Sequence, residues 1–296
     1  MAGQPSSTSE HAPAKVNLVL HVGPRRSDGL HQLCSLIASI DLADTLIVHP
    51  GAEGEAVGHA GGQAPDDRVD EVECPGVIGP NLVEDALMSF RRAAPGSLPP
   101  VRVRIEKRIP VAAGLGGGSA DAAAALRAAN RLAGEPLDAD ALRAVGATIG
   151  SDVPSQVEPR SSLVTGGGER VEPLELPPMT LVLVPGAVGL STADVYAEAD
   201  RIGATRESLD PDAVRAVASR SLWELARGME NDLEAAALSL RHGLDSTRAR
   251  LLEAGALAAQ VSGSGPTVFG VFEEQRAAPT AAAGIPGAVV VSTRRS

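Results

Sequence analysis

The chain has 296 residues, 44% hydrophobic and 21% charged, the balance of a globular protein with room for one large or two moderate cores. Its formal net charge of −11 argues against bulk nucleic-acid binding or a polybasic membrane anchor, so an anionic ligand must be held by local donors. No apolar run approaches the roughly 20 residues of a spanning helix. Residues 1–10 are polar and lack a signal-peptide core; they read as a disordered lead-in to a cytoplasmic protein. Cys34, Cys74 and six scattered histidines form no CxxC or HExxH spacing, which speaks against a zinc site. At 2% aromatic content, stacking platforms for single-stranded nucleic acid are lacking as well.

Lys15 to Val22 alternates and is rich in branched residues, predicting a strand, and Arg25 to Gly29 is a turn. Leu36 to Ile40 and Thr45 to Val48 predict two further short strands, and 51–67 reads as an exposed excursion. Asn81 to Arg92 is an amphipathic helix, Val101 to Ile105 a strand, and an alanine-rich helix opens near Ser119. Leu137 to Ile149 predicts another helix, with Asp138 or Asp140 near its start. The prolines of Glu172 to Pro178 suggest a boundary or hinge. Beyond them come a strand at 180–184, helices near 191–201, 211–226 and 230–254, a Gly/Ser turn leading into a strong strand that ends at Phe272, and a closing strand at 288–292.

The most informative stretch lies between the strand at 101–105 and the alanine-rich helix, with glycines at 114, 116, 117 and 118. Glycine lets backbone N–H groups approach an anion, and a helix N-terminus adds a positive dipole end, so phosphate is the natural guest. Two other readings stay open on the loop alone. One is a dinucleotide fingerprint, for which Glu135 stands at about the right distance but in a turn signal; the other is a tight strand-to-helix turn. A P-loop would need Gly-Lys-Ser/Thr, and that lysine is missing.

Two other segments complete a pattern with this loop. Pro13-Ala-Lys15-Val-Asn17-Leu lies on the first strand and Val261-Ser-Gly-Ser-Gly-Pro-Thr-Val268 near the end. With Pro110 to Ala120 they resemble, in this order and over nearly the whole chain, the three motifs of the galactokinase, homoserine kinase, mevalonate kinase and phosphomevalonate kinase (GHMP) family. Asp28-Gly-Leu-His31, Gly150-Ser-Asp152-Val-Pro154 and Asn231-Asp-Leu-Glu234 are most similar to the branch acting on a cytidine-diphosphate methylerythritol in the non-mevalonate isoprenoid route. The resemblance implies an α+β fold in two domains, with the active site in the cleft between them. An N-terminal ribosomal-protein-S5-like α/β domain would span 11–173 and a C-terminal helix-backed antiparallel sheet 174–296. It also implies ATP and Mg²⁺, phosphorylation of the substrate's 2-hydroxyl, no nucleic-acid or membrane partner, and a monomer or weak homodimer. The alternatives are another GHMP small-molecule kinase or a non-catalytic nucleotide-binding protein.

By the same resemblance Asp152 is the base that takes the hydroxyl proton. Lys15 keeps that carboxylate ionised and steadies the reacting oxygens. On their own residues the two also read as a turn aspartate and an exposed strand-end lysine. Pro110, Gly114, Leu115, Gly116, Gly117, Gly118, Ser119 and Ala120 would wrap the ATP phosphates, with the Ser119 hydroxyl near phosphate or magnesium. Lys107 and Asn81 match positions near adenine or ribose; Asn17 and His31 match positions at the substrate, His31 reading the cytosine edge. Leu30 stands where the family usually has an aromatic residue, forfeiting base stacking worth about 1–3 kcal/mol. Tyr196, the only tyrosine, lies in a segment resembling the substrate border and is the candidate to compensate. Ser155 and Gln156 replace an expected apolar pair.

Overall fold

The computed structural model describes residues 7–51, 70–273 and 275–294. Two long strands open it, β1 (Thr8–Arg25) and β2 (His31–Pro50). Where the sequence predicts two short strands, β2 runs unbroken for 20 residues. The polar residues that interrupt its apolar pattern have partners: Asp41 Oδ1 accepts the Ser292 N–H at 3.0 Å, and fully buried Asp44 pairs with Lys107. Strand β1 begins inside the stretch read as lead-in, because the Glu10 carboxylate pairs with Arg127 at 3.0 Å and Arg131 at 2.7 Å. The excursion at 51–67, apart from Gly51, lies outside the described residues.

There follow β3 (Glu71–Glu73), α1 (Leu82–Ala93), β4 (Val101–Glu106), α2 (Gly117–Leu132), α3 (Ala139–Ala147), α4 (Val153–Val157), β5 (Ser162–Gly166), β6 (Arg170–Pro173) and β7 (Thr180–Val184). The remaining elements are α5 (Thr192–Ile202), α6 (Pro211–Ala218), α7 (Leu222–Arg227), β8 (Glu230–Asn231), α8 (Glu234–Leu240), α9 (Leu244–Glu253), β9 (Ala258–Val261), β10 (Val268–Phe272), α10 (Ala277–Ala283) and β11 (Val289–Ser292). The helix predicted over 211–226 is two, because Ser221 and Glu224 form a capping box that starts α7. The one predicted over 230–254 is broken by the short β8 and by Gly243, whose φ of 93° lies in the left-handed region.

The chain forms two compact units, each discontinuous in sequence. The first comprises Met1–Ala12, Asp44–Arg108 and Gly118–Glu158; the second comprises Pro13–Ala43, Ile109–Gly117 and Pro159–Ser296. Both long strands and the glycine-loop region change unit along their length.

In the first unit, β4 alternates strictly: Val101, Val103 and Ile105 are buried, while Arg102 and Arg104 face out to Glu71 and Glu73 of the parallel neighbour β3. The end of β2 pairs antiparallel on the other side of β4. Helix α1 is capped by the Asn81 side chain and buries Val83, Ala86, Leu87 and Phe90 at helical spacing. Helix α2 is buried on every face through its alanines, which let its neighbours approach closely. Arg127 projects from α2 and donates to the Glu10 carboxylate at 3.0 Å, to His11 O at 2.6 Å and to Gln156 O at 2.7 Å. It thereby ties α4 to the start of β1.

In the second unit, β8 pairs parallel with β1, β5 pairs antiparallel with the start of β2, and β6 pairs antiparallel with β5. A separate four-stranded sheet, in order β11-β7-β10-β9, is antiparallel throughout. Helix α9 packs on β9 and β10, and α10 on β7 and β11, giving the helix-backed sheet that the sequence predicts. Its buried strand residues include Leu181, Leu183, Phe269 and Phe272. Both cysteines are free, and burial pushes the Cys34 thiol up to about 11, so it has no thiolate character at neutral pH. No helix among the described residues is long and apolar enough to cross a membrane.

Arg127→Ala leaves two carbonyls, and in part the buried Glu10 carboxylate, short of a donor. It is expected to destabilise the fold by about 2–3 kcal/mol. Urea unfolding should register this as a lower midpoint at unchanged slope.

Candidate active site

The glycine loop is shaped by conformation and by space together. Gly114 and Gly116 have φ of 75° and 70°, where a side chain is strained. A Cβ on Gly114 would also lie 2.4 Å from Ser262 O and 2.8 Å from Gly265 O, and one on Gly116 3.0 Å from Lys15 Cε. The loop's carbonyls are taken up by the protein. Ala113 O accepts from Thr267 N at 3.2 Å, Gly114 O from Ser262 Oγ at 3.0 Å and Leu115 O from Lys15 N at 3.0 Å. Three oxygens that would repel an anion are thus neutralised by donors. Leu115 anchors the loop in the core of the second unit. Pro110, half-buried, stands ahead of these glycines. Helix α2 starts at Gly117, with Gly118 and half-buried Ser119 in its first turn and Ala120 already in the core of the first unit. A helix start of this kind offers N–H donors and a positive dipole end to phosphate.

Beside the loop, in the same unit, Lys15 is only 4% exposed. Its ammonium donates to Asn17 Oδ1 at 2.8 Å; Asn17 Nδ2 donates to Ser35 Oγ at 2.8 Å, and that hydroxyl to Val19 O at 2.8 Å. This directed chain fixes the amide so that its oxygen faces the lysine. The Ser262–Gly265 turn is equally tied. Asn231 Nδ2 donates to Val261 O at 2.9 Å and to Gly263 O at 2.8 Å, Glu234 Oε1 accepts from Val261 N at 2.8 Å, and Gln260 Nε2 donates to Asn17 O at 2.8 Å.

On the expected substrate side, the His31 ring is buried and tilted against Tyr196 with centroids 5.4 Å apart. Its Nδ1 lies 2.9 Å from Gly23 O and its Nε2 3.4 Å from the Asp200 carboxylate. Leu30 is 49% exposed. Its turn is braced by Arg26, which pairs with Asp28 at 2.9 Å and Glu169 at 3.1 Å.

In the first unit, Lys107 lies between two buried carboxylates, Asp44 at 2.5 Å and Asp121 at 2.7 Å. Burial alone would lower the lysine's pKa, but attraction to Asp121 and Asp44 outweighs it and raises it. Asn81 Oδ1 accepts from Val83 N at 3.0 Å as the cap of α1, and the next residue, Leu82, lies where a Cβ on Gly118 would be 3.7 Å from its Cδ1. Asp152 immediately precedes α4, yet its carboxylate does not cap that helix; its carbonyl accepts from Ser155 Oγ at 2.8 Å. Ser155 and Gln156 are both buried, the serine satisfied by that local bond.

Profiles of known families place this arrangement. The one described as "GHMP kinases N terminal domain" matches residues 81–158, and "GHMP kinases C terminal" matches 213–289. The chain belongs to the GHMP kinases. This GHMP kinase is 42% identical over 280 residues to a 4-diphosphocytidyl-2-C-methyl-D-erythritol kinase of Anaeromyxobacter dehalogenans (strain 2CP-C), covering 93% of this chain and 84% of the relative. It is 40% identical to the Nocardia farcinica (strain IFM 10152) protein of the same name, covering 99% of this chain and 94% of that one. A solved 4-(cytidine 5'-diphospho)-2C-methyl-D-erythritol kinase superimposes with a TM-score of 0.76 at 34% identity, covering 98% of this chain and 100% of that one.

Some partners of the candidate residues of this GHMP kinase are ones that sequence reasoning passes over. Ser35, Asp44 and Asp121 carry no motif, and each acts through a partner at least 14 positions away. Two carboxylates on one ammonium leave a surplus negative charge. Burial, together with Asp44, raises Asp121 to about 7 against the pull of Lys107. The unfolded carboxyl loses its proton near 3.8, so Asp121 favours the fold fully below that pH. This contribution is lost as pH rises through about 7. Asp121→Asn stays neutral throughout, so the variant's melting temperature relative to the unsubstituted protein should rise between pH of about 5 and about 8. Calorimetry at several pH values checks it; a pH-independent difference would contradict the assignment.

Proposed function

We infer that this protein transfers the γ-phosphoryl group of ATP to the 2-hydroxyl of 4-diphosphocytidyl-2-C-methyl-D-erythritol, a step toward isoprenoid precursors by the non-mevalonate route. The observation that carries this reading is near-full-length similarity, at 42% and 40% identity, to kinases of that name. The Asp28-Gly-Leu-His31 segment supports it against homoserine and mevalonate kinase readings. Lys15 supports catalysis over mere nucleotide binding: burying an ammonium costs free energy, and binding alone does not call for it.

Phosphoryl transfer asks for three things: in-line positioning, neutralisation of charge on the phosphates, and a place for the acceptor's proton. The glycine loop and the start of α2 supply N–H donors for the phosphates. Lys15, oriented through Asn17 and Ser35, supplies a fixed positive charge in a largely dry setting, where it acts more strongly than in water. Asp152 takes the proton of the 2-hydroxyl as its oxygen attacks the γ-phosphorus and the bond to the β-γ bridging oxygen breaks, releasing ADP. Ser119 offers a neutral hard oxygen in the first turn of α2, which suits a Mg²⁺ held chiefly by the triphosphate. When bound, that ion neutralises charge on the β- and γ-phosphates. Lys107 and Asn81 belong with the adenine and ribose, as side chains already locked by Asp44, Asp121 and the α1 cap. On the acceptor side, the Tyr196 ring beside His31 offers the π-face that Leu30 lacks.

A coupled ADP-release assay comparing the cytidyl acceptor with homoserine, mevalonate and galactose tests the assignment. Turnover is expected with the first alone, and faster turnover of any other would overturn it. Asp152→Asn is expected to lower kcat by about 10²–10⁴ while ATP affinity stays within about twofold. Near-normal turnover in that variant would remove Asp152 from the chemistry.

A further inference from the structure

One residue of the glycine loop breaks the rule of its neighbours. Ala112 has φ of 52°, a left-handed conformation that costs an L-residue about 1–2 kcal/mol, in a loop that uses glycine at its other positive-φ positions. Its Cβ points at Gly189: a Cβ built on Gly189 would lie 2.8 Å from it and 3.3 Å from Ala112 O. Gly189 does not have a positive φ, so its backbone would accept a side chain. Only the space taken by Ala112 demands glycine there.

The contact belongs to a larger arrangement. Residues 185–192, from the end of β7 to the first residue of α5, repeat the pattern at Gly186, where a Cβ would lie 2.6 Å from Pro266 Cβ, again without a positive φ. A Cβ on Gly265 would lie 3.6 Å from Leu190 Cδ1, and Thr192 Oγ1 lies 3.0 Å from Ser264 Oγ. The segment thus touches the glycine loop at one point and the Ser262–Pro266 turn at three. An anchor of its own holds it, since Arg241 Nη2 donates to Gly189 O at 3.1 Å. Core packing does not explain the Ala112 contact: both residues are exposed, and their neighbours Val111 and Val188 are 61% and 60% exposed.

We propose that residues 185–192 form a strap that sets the position of the phosphate loop, with Ala112 seated against Gly189 as a matched pair of positioning residues. The proposal rests on the ATP-dependent kinase reading above. Its logic is steric complementarity: moving the methyl group from one side of the contact to the other should preserve the seat, while a methyl on both sides should push the loop away.

The test is a size swap read first by nucleotide binding, which needs no acceptor. Gly189→Ala is expected to weaken affinity for a non-hydrolysable ATP analogue, and to lower kcat/KM for ATP, on the order of tenfold, because small displacements of binding groups are amplified. KM for the cytidyl acceptor should stay within about twofold, as an interaction with ATP alone requires. Adding Ala112→Gly should bring both nucleotide constants back to within about threefold of the unsubstituted protein. Unaltered nucleotide affinity in Gly189→Ala would overturn the strap, as would a defect that Ala112→Gly does not relieve. Failure of the unsubstituted protein to bind the analogue would instead overturn the kinase reading. Unfolding midpoints of all variants should agree closely; a defect that follows a lowered midpoint through both single and double variants counts against positioning.

Discussion

Two turns from distant parts of the chain meet backbone to backbone at Gly114, and the second unit's share of the candidate site depends on that meeting. Without a Cβ at 114, the carbonyls of Ser262 and Gly265 can come within a distance that any side chain would forbid. The bonds that follow converge on the loop and on the strand beside it: Ser262 Oγ and Thr267 N donate to the loop, Lys15 N donates to its next carbonyl, and Gln260 Nε2 donates to the backbone of β1. Asn231 and Glu234 hold the turn from the other side. None of the three motif segments is complete alone, because each satisfies backbone groups that another exposes. Buried backbone groups must be paired, and here the pairing itself fixes the lysine, the loop and the turn in one frame.

That frame explains how a protein of net charge −11 can offer an anion a home. Charges separated by more than about 8 Å are largely screened at physiological salt, so the overall charge matters less than the groups within reach. Many of the carboxylates are already engaged: Asp232 with Arg206, Glu172 with Arg215, and Asp44 and Asp121 with Lys107. Near the glycine loop the described donors are backbone N–H groups, a helix start and a buried ammonium. A buried charge is held in one orientation and acts through a low-dielectric surround, which a mobile surface lysine cannot match.

The sequence was most legible where residues carry their own instructions. The alternation of β4 and the cap and apolar stripe of α1 need no distant partner. Strand β2 hides its length because Asp41 and Asp44 interrupt its pattern, and what makes them tolerable in a strand is a backbone N–H at residue 292 and an ammonium at 107. The short β8 and the five-residue α4 fall below any periodicity test. The split between α6 and α7 is a different kind of miss. Ser221 and Glu224 spell a capping box in plain view, and the apolar residues on either side conceal it.

Glycine divides the site into legible and illegible parts in the same way. At 114 and 116 the requirement is partly conformational, and such glycines cluster between a strand and a helix where a motif can be read. At 186 and 189 the backbone is ordinary, and the requirement comes from side chains at 266 and 112 that fill the missing Cβ's place. A glycine of the second kind has no local signature, since its reason lies in another segment. Ala112 reverses the relation: it carries a methyl group where its conformation favours none. An alanine at such a position keeps its methyl only if contacts offset the strain of about 1–2 kcal/mol. One contact of that methyl is with the bare face of Gly189. The two anomalies, one conformational and one spatial, are therefore a single feature of the fold, and only the three-dimensional contact makes either of them intelligible.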